Sequence, residues 1–403
     1  MRVVTIEEHW TTEGIDRALR AQPESVRDES VALNDRGDIP ERLFDIGELR
    51  IAAMDAAGVD VQILSLAPPG THGLPAGDAV ALAREANELA SAAVARYPGR
   101  FRAMTTLPMS DPDAALAELR RTADDPAHVG IMSYGRSGDR PLDHPSYDEL
   151  LGVAAELGKP VFVHPQIPPK AVRDAAYRGF DPVTELALAT FGWGWHIEAG
   201  LAALRLILRG TFDRHPSLQV VVGHWGEALL LFLDRADSLS NVATHLERRV
   251  AEYFATNIHI TTSGMLTPRL LRHALDHVSA ERILLSPMRV IETLGDLVEP
   301  EGTIAIMSSG QGSIANNQRG GFEIYRASKS ALNQLMRSYA ARHADDPRTL
   351  LLMAPGWVKT DLGGPGAQLT IGESIPNLVS TVDAQRGQPG LQYLDYLGRT
   401  VAW

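Results

Sequence analysis

The chain contains no cysteine. Disulfides, thiolate ligands and cysteine nucleophiles are therefore excluded, and any metal must be held by His, Asp or Glu. No apolar run approaches 18 residues, so no membrane-spanning helix is expected. No positively charged leader followed by an apolar stretch precedes the first strand, and a cytoplasmic location is the expectation. Positive charge is in deficit: 38 Lys and Arg against 50 Asp and Glu leave a formal charge of -12. A phosphate backbone or an anionic membrane would repel such a surface. With 403 residues, 44% of them hydrophobic and 22% charged, the composition is that of a soluble globular protein with room for a barrel and a smaller second domain.

Residues 1–286 alternate short apolar runs with longer amphipathic ones. The strand candidates are Val3–Glu7, Val61–Leu66, Arg102–Leu107, Val129–Ser133, Pro160–His164, Leu218–Gly223, Ile258–Thr262 and Ile283–Ser286. Helical patterns such as Asp78–Arg96, Pro112–Arg121, Tyr147–Leu157 and Thr267–His277 separate them. Strands alternating with helices predict parallel βα units, and eight of them predict a closed (β/α)₈ TIM barrel, an α/β fold. Two longer insertions, residues 11–43 and 166–198, follow strand ends and are expected over the active face.

Potential metal ligands sit at those strand ends. Glu7 and His9 follow Val3–Ile6, His164 follows Pro160–Val163, and His224 follows Leu218–Gly223. Glu7 and His9 share a site if the strand bends at its end. Imidazole and carboxylate donors suit Zn²⁺ or Mn²⁺, with one position left open for water or substrate.

Five ordered motifs carry a family resemblance: Ile6-Glu7-Glu8-His9-Trp10, Val163-His164-Pro165, Gly192-Trp193-Gly194-Trp195-His196, Gly223-His224-Trp225-Gly226-Glu227 and His259-Ile260-Thr261-Thr262-Ser263-Gly264. They resemble the amidohydrolase-related decarboxylases, the γ-resorcylate and aminocarboxymuconate-semialdehyde decarboxylase relatives. The resemblance implies one divalent metal, zinc or manganese, held by Glu7, His9 and His164. It also implies nonoxidative loss of CO₂ from an aromatic or conjugated hydroxy acid, with His224 polarising or protonating the substrate and Glu227 supporting it. The Trp193–His196 segment resembles a region that reaches a neighbouring subunit, which implies a homo-oligomer. In that family an Asp follows the eighth strand and is commonly held to supply the proton. Here Met288 stands in its place, and a thioether neither donates a proton nor binds a hard metal well, so an impaired site is expected. The alternatives are a hydrolase or hydratase of the same superfamily, or an inactive fusion.

From Pro287 the chain resembles the C-terminal half of a short-chain dehydrogenase/reductase. Ile304–Ser309 resembles that family's serine strand, Tyr325-Arg326-Ala327-Ser328-Lys329 its Tyr-x-x-x-Lys motif, and Pro355–Asp361 its nicotinamide loop. The resemblance gives Ser309, Tyr325 and Lys329 as the remnant of a site. The dinucleotide-binding half is missing, so no NAD(P) and no oxidoreductase activity are expected. The domains expected are a barrel over 1–299, with Met288–Glu299 as its eighth helix, and a half-Rossmann segment over 300–403. The two resemblances meet at Ser286–Pro287 without a linker, whereas domains are usually joined through exposed flexible segments. That joint implies a chimera or a recombined reading frame.

Overall fold

The computed structural model describes residues 4–57, 59–265, 268–279, 282–284, 298–318, 320–359, 364 and 366–403. The chain divides into two compact units, one spanning Val3–Leu266 and Leu271–Leu284, the other containing Leu285–Trp403.

The first unit holds eight strands: β1 Val4–Trp10, β2 Val61–Leu66, β3 Phe101–Thr106, β4 His128–Ser133, β5 Val161–Val163, β6 Val220–Val222, β7 Ile258–Thr261 and β8 Ile283–Leu284. They pair in sequence order in one sheet, and every ladder is parallel. Helices intervene as the periodicity predicts, Pro112–Arg121 with the expected ends and Asp78–Arg96 beginning two residues earlier, at Ala76. Among the described residues no ladder joins β8 to β1, so the closed barrel of the sequence reading is present as a curled parallel sheet. Leu285, Ser286, Met288 and the expected helix Met288–Glu299 fall wholly or largely outside the described residues.

The curl follows from distances. In a flat sheet β1 and β5 would lie about 19 Å apart, four spacings of about 4.8 Å. Instead Nε2 of His9 and Nε2 of His164 approach to 3.1 Å. Successive strands β3 to β6 fill the interior with Met104, Met132, Phe162 and Val221, together with Tyr134 just past β4, and Ile6 of β1 and Ile63 of β2 pack against them. Burying each large apolar chain contributes about 1.5–3 kcal/mol, so the lining itself favours the curl. A second cluster joins β1, β2 and the helix Ala76–Arg96 through Trp10, Leu64, Leu66, Ala79, Ala86 and Ala90. The small alanines on that helix let it lie close to the strands.

The second unit is a three-stranded parallel sheet of β9 Thr303–Met307, β10 Thr349–Ala354 and β11 Gly390–Asp395, with β10 in the middle. The helices Glu323–Arg342 and Ile371–Ala384 follow β9 and β10. Met336 and Tyr339 pack with Ile304, Ile306, Leu350 and Leu352, while Leu378 packs with Leu351, Met353 and Leu394. Alternate residues of β10 thus face opposite helices, which is why all six are buried. β11 went unread in the sequence because Gly390-Leu391-Gln392-Tyr393 lacks a β-branched run.

One side chain fastens β3 to two helices. Asn87 donates to Thr106 O at 2.9 Å and to Glu118 Oε1 at 2.7 Å, and accepts from Thr106 N at 2.8 Å. Asn87→Ala strands both Thr106 backbone groups in a buried setting. A loss of about 2–4 kcal/mol in chemical denaturation is expected; a change below about 0.5 kcal/mol means that water replaces the amide.

Candidate metal and proton-transfer site

Glu7 and His9 lie inside β1 rather than beyond it, since the strand runs on to Trp10. The bend expected at this point is a bulge: the register with β2 shifts between Thr5 and Glu8, and Glu7 takes φ 69°. Bulges re-aim side chains and recur beside active sites. His164 follows β5 directly, and its amide is fixed by donation to Ser133 O at 2.8 Å. Arg50, which the sequence did not flag, donates to His9 O at 2.7 Å, Arg42 O at 2.9 Å and Asp45 O at 2.8 Å.

These three residues pass a chemical test for a divalent cation. Nδ1–H of His164 donates to Pro165 O at 2.8 Å, which leaves Nε2 as a lone pair, while Nδ1 of His9 lies 3.3 Å from Ser65 Oγ. Two Nε2 atoms face each other at 3.1 Å, and Glu7 Oε1 lies 4.0 Å from His164 Nε2. Glu7 Oε2 is buried without a hydrogen-bond partner. Burial raises the Glu7 pKa, opposed by His224 and by the Ser263 and Thr261 hydroxyls. Burial also lowers His9 to about 4 and His164 well below its ordinary value. Two neutral imidazoles and a buried, under-bonded carboxylate offer a nitrogen and oxygen donor set suited to Zn²⁺ or Mn²⁺.

A second cluster lies beside the first. His224, Trp225 and Glu227, in the turn after β6, all have positive φ, at 42°, 62° and 56°. Such conformations cost roughly 1–2 kcal/mol each outside glycine and concentrate at functional sites. Glu227 accepts from His224 Nδ1 at 2.8 Å and from His196 Nδ1 at 2.6 Å, one imidazole on each oxygen. The ligand atoms of His196, His224 and Glu227 all lie within 4.8 Å of one another. Both carboxylate oxygens already bond imidazole nitrogens, so this cluster is built as a hydrogen-bonded chain. Gly223 keeps this corner open: a Cβ would sit 3.1 Å from Glu227 Oε1, tight enough to push that carboxylate by a few tenths of an ångström.

Glu7, His9, His164, His224 and Glu227 are thus brought into one neighbourhood, the rings of His164 and His224 standing 6.3 Å apart. Trp195 edges His164 at 6.2 Å, whereas Trp193 is exposed. His196, read from the sequence only as part of an aromatic segment, turns inward to Glu227. Tyr134, also unread, stacks edgewise on His164 at 5.8 Å and on His72 at 4.9 Å. His72 also lines a cavity of ≈ 440 Å³, in which Arg136, Lys170 and Arg173 are paired with Glu198, Asp174 and Glu29. Met288 lies outside the described residues.

In the second unit Ser309 caps the turn Gly310–Gly312, Lys329 Nζ donates to Met307 O at 3.3 Å, and Nζ stands 5.9 Å from the Tyr325 ring. The following helix opens only at Glu323, so the Gly310 turn is not the glycine-rich entry to a helix.

The amidohydrolase family profile matches residues 40–286. The chain is 36% identical over 298 residues to the γ-resorcylate decarboxylase of Rhizobium radiobacter, covering 70% of this chain and 86% of that one. A solved 5-carboxyvanillate decarboxylase from Novosphingobium aromaticivorans, complexed with manganese and 4-hydroxy-3-methoxy-5-nitrobenzoic acid, is 30% identical. That match covers 70% of this chain and 84% of the other, with a TM-score of 0.64. Over 100 residues the chain is also 36% identical to C-signal of Myxococcus xanthus, covering 25% of this chain and 60% of that protein.

The buried histidines carry a pH signature. His72 is 2% exposed, and burial holds it at about 4 against an ordinary value near 6.5. Between those values the unfolded chain binds the extra proton, so stability falls as pH drops through 6.5 towards 4. His72→Gln should flatten that fall in the metal-free protein by roughly 3 kcal/mol, the equivalent of about 2.5 pKa units. Parallel denaturation-midpoint curves for the two proteins would remove His72 from this account.

Proposed function

Since the chain belongs to the amidohydrolase family, as an enzyme of its decarboxylase type, we propose that it releases CO₂ nonoxidatively from an aromatic or conjugated hydroxy acid. The observation that carries this reading is the convergence of Glu7, His9 and His164 beside the His224–Glu227 pair. A divalent cation held by those three residues would supply Lewis acidity toward a carboxylate and an adjacent hydroxyl. Trp195 and Tyr134 wall the site with aromatic rings.

His224 is the residue placed to deliver the proton. Its Nδ1–H is held on Glu227, which fixes the ring and leaves Nε2 to meet the substrate. Both burial and Glu227 act on its basicity: burial lowers the pKa, the Glu227 hydrogen bond and charge raise it, and the net direction is upward. When the carboxylate leaves as CO₂, the bond's electron pair stays on carbon and takes the proton from His224. General acids of this kind contribute about 10²–10⁴ in rate.

Met288, standing where the relatives' motif has Asp, removes one of two proton carriers and implies a slow enzyme. The likeness to C-signal over a quarter of the chain supports a second ancestry within it. The short-chain-dehydrogenase likeness of Ser309, Tyr325 and Lys329 is read as ancestry without nicotinamide chemistry, and a homo-oligomer is part of the same proposal.

Elemental analysis of purified protein should find about one Zn or Mn per chain, and Glu7→Gln with His164→Ala should abolish it. Hydroxybenzoates, dihydroxybenzoates among them, should release CO₂ in the metal-loaded protein; stoichiometric metal with hydrolysis products instead would transfer the site to a hydrolase. In the same assay Met288→Asp should raise turnover by about 10². An unchanged rate in confirmed metal-loaded protein means that His224 alone carries the proton.

A further inference from the structure

Both ring nitrogens of His196 face oxygen. Nδ1 lies 2.6 Å from Glu227 Oε2, and Nε2 lies 3.0 Å from the carbonyl of Phe191. A carbonyl only accepts, and so does an ionised carboxylate. A neutral imidazole has one donor and one acceptor nitrogen, so it would set a lone pair against one of these oxygens. Only the doubly protonated ring satisfies both contacts.

Glu227 needs such a partner. Its side chain is fully buried, and a buried carboxylate without a counter-charge is costly. His224 occupies the other oxygen, and the two imidazole rings stand 5.1 Å apart. One negative charge therefore lies between two rings that repel each other when both are cations.

We propose that His196 is the standing cation of this site, a positioning residue from the helix Gly194–Leu208 that neutralises Glu227 and keeps its Oε1 on the Nδ1–H of His224. The proposal rests on reading His224 as the proton donor. When His224 passes its Nε2 proton to the substrate carbon it becomes neutral, and without His196 the buried Glu227 would then stand as a bare charge. With His196 charged, the proton leaves and is restored from solvent while Glu227 stays paired throughout. The Glu227 hydrogen bond holds the His196 pKa above its ordinary value, against burial. The other titratable groups acting on or through this ring are His224 and His164, from neighbouring strand ends.

The test uses the full chain loaded with zinc and labelled with ¹⁵N-histidine. At pH 7 both His196 nitrogens should carry protons, the resonances being assigned by their loss in His196→Asn. In kinetics, His196→Leu should lower kcat by about 10–100-fold, the usual effect of removing an outer partner, with KM within about twofold. His196→Asn, which returns one N–H to Glu227 but no charge, should recover only part of that loss. A neutral His196 tautomer at pH 7 overturns the proposal, and so does a wild-type kcat in His196→Leu. If no acid releases CO₂ from the unaltered enzyme, the decarboxylase reading fails, yet the spectrum still decides the charge of His196.

Discussion

The approach of His9 to His164 is the constraint on which the first unit depends. Two imidazole nitrogens stand 3.1 Å apart although their strands are four places apart in the sheet. That distance is reached only if the sheet curls, and the curl depends on the interior that Met104, Met132, Phe162 and Val221 fill. Strand ends that would be spread along an edge thereby face a common centre. The bulge at Glu7 and the left-handed turn at His224–Glu227 are local distortions that complete the convergence. Neither would persist alone, because each places residues in backbone regions that the surrounding packing must hold.

Electrostatics then sorts the gathered groups into two tasks. His9 and His164 are kept neutral by burial, with Nε2 available as lone pairs, and Glu7 is a buried carboxylate with one oxygen unpartnered. These are the needs of metal ligands. A short distance away, Glu227 pulls two imidazoles toward the charged form, as suits a proton carrier. Opposite shifts on side chains of one type, within one site, arise from the position of a single carboxylate.

The second unit obeys the same packing rules, and among its described residues no group of potential metal ligands is gathered. Its central strand is buried on both faces because helices cover both. Tyr325 and Lys329 share a helix face, as residues four apart do, and the lysine is directed to a backbone carbonyl.

Much of this was legible in the chain before any coordinates. Cysteine-free composition restricted the ligands to nitrogen and oxygen, the alternation of apolar runs with helical periods placed seven of the eight strands to within a residue or two, and short motifs pointed to Glu7, His9, His164, His224 and Glu227. These features are local, so they are written in neighbouring residues. The length of β1 was misjudged because a bulge interrupts the alternation that marks a strand. Arg50 and Tyr134 went unread, and His196 was read only as part of an aromatic segment, because their importance lies in partners 41, 30 and 31 residues away. Sequence alone determined which groups are present and in what order. The tertiary structure decided which of them meet and, through burial and the placement of Glu227, which are neutral and which carry charge.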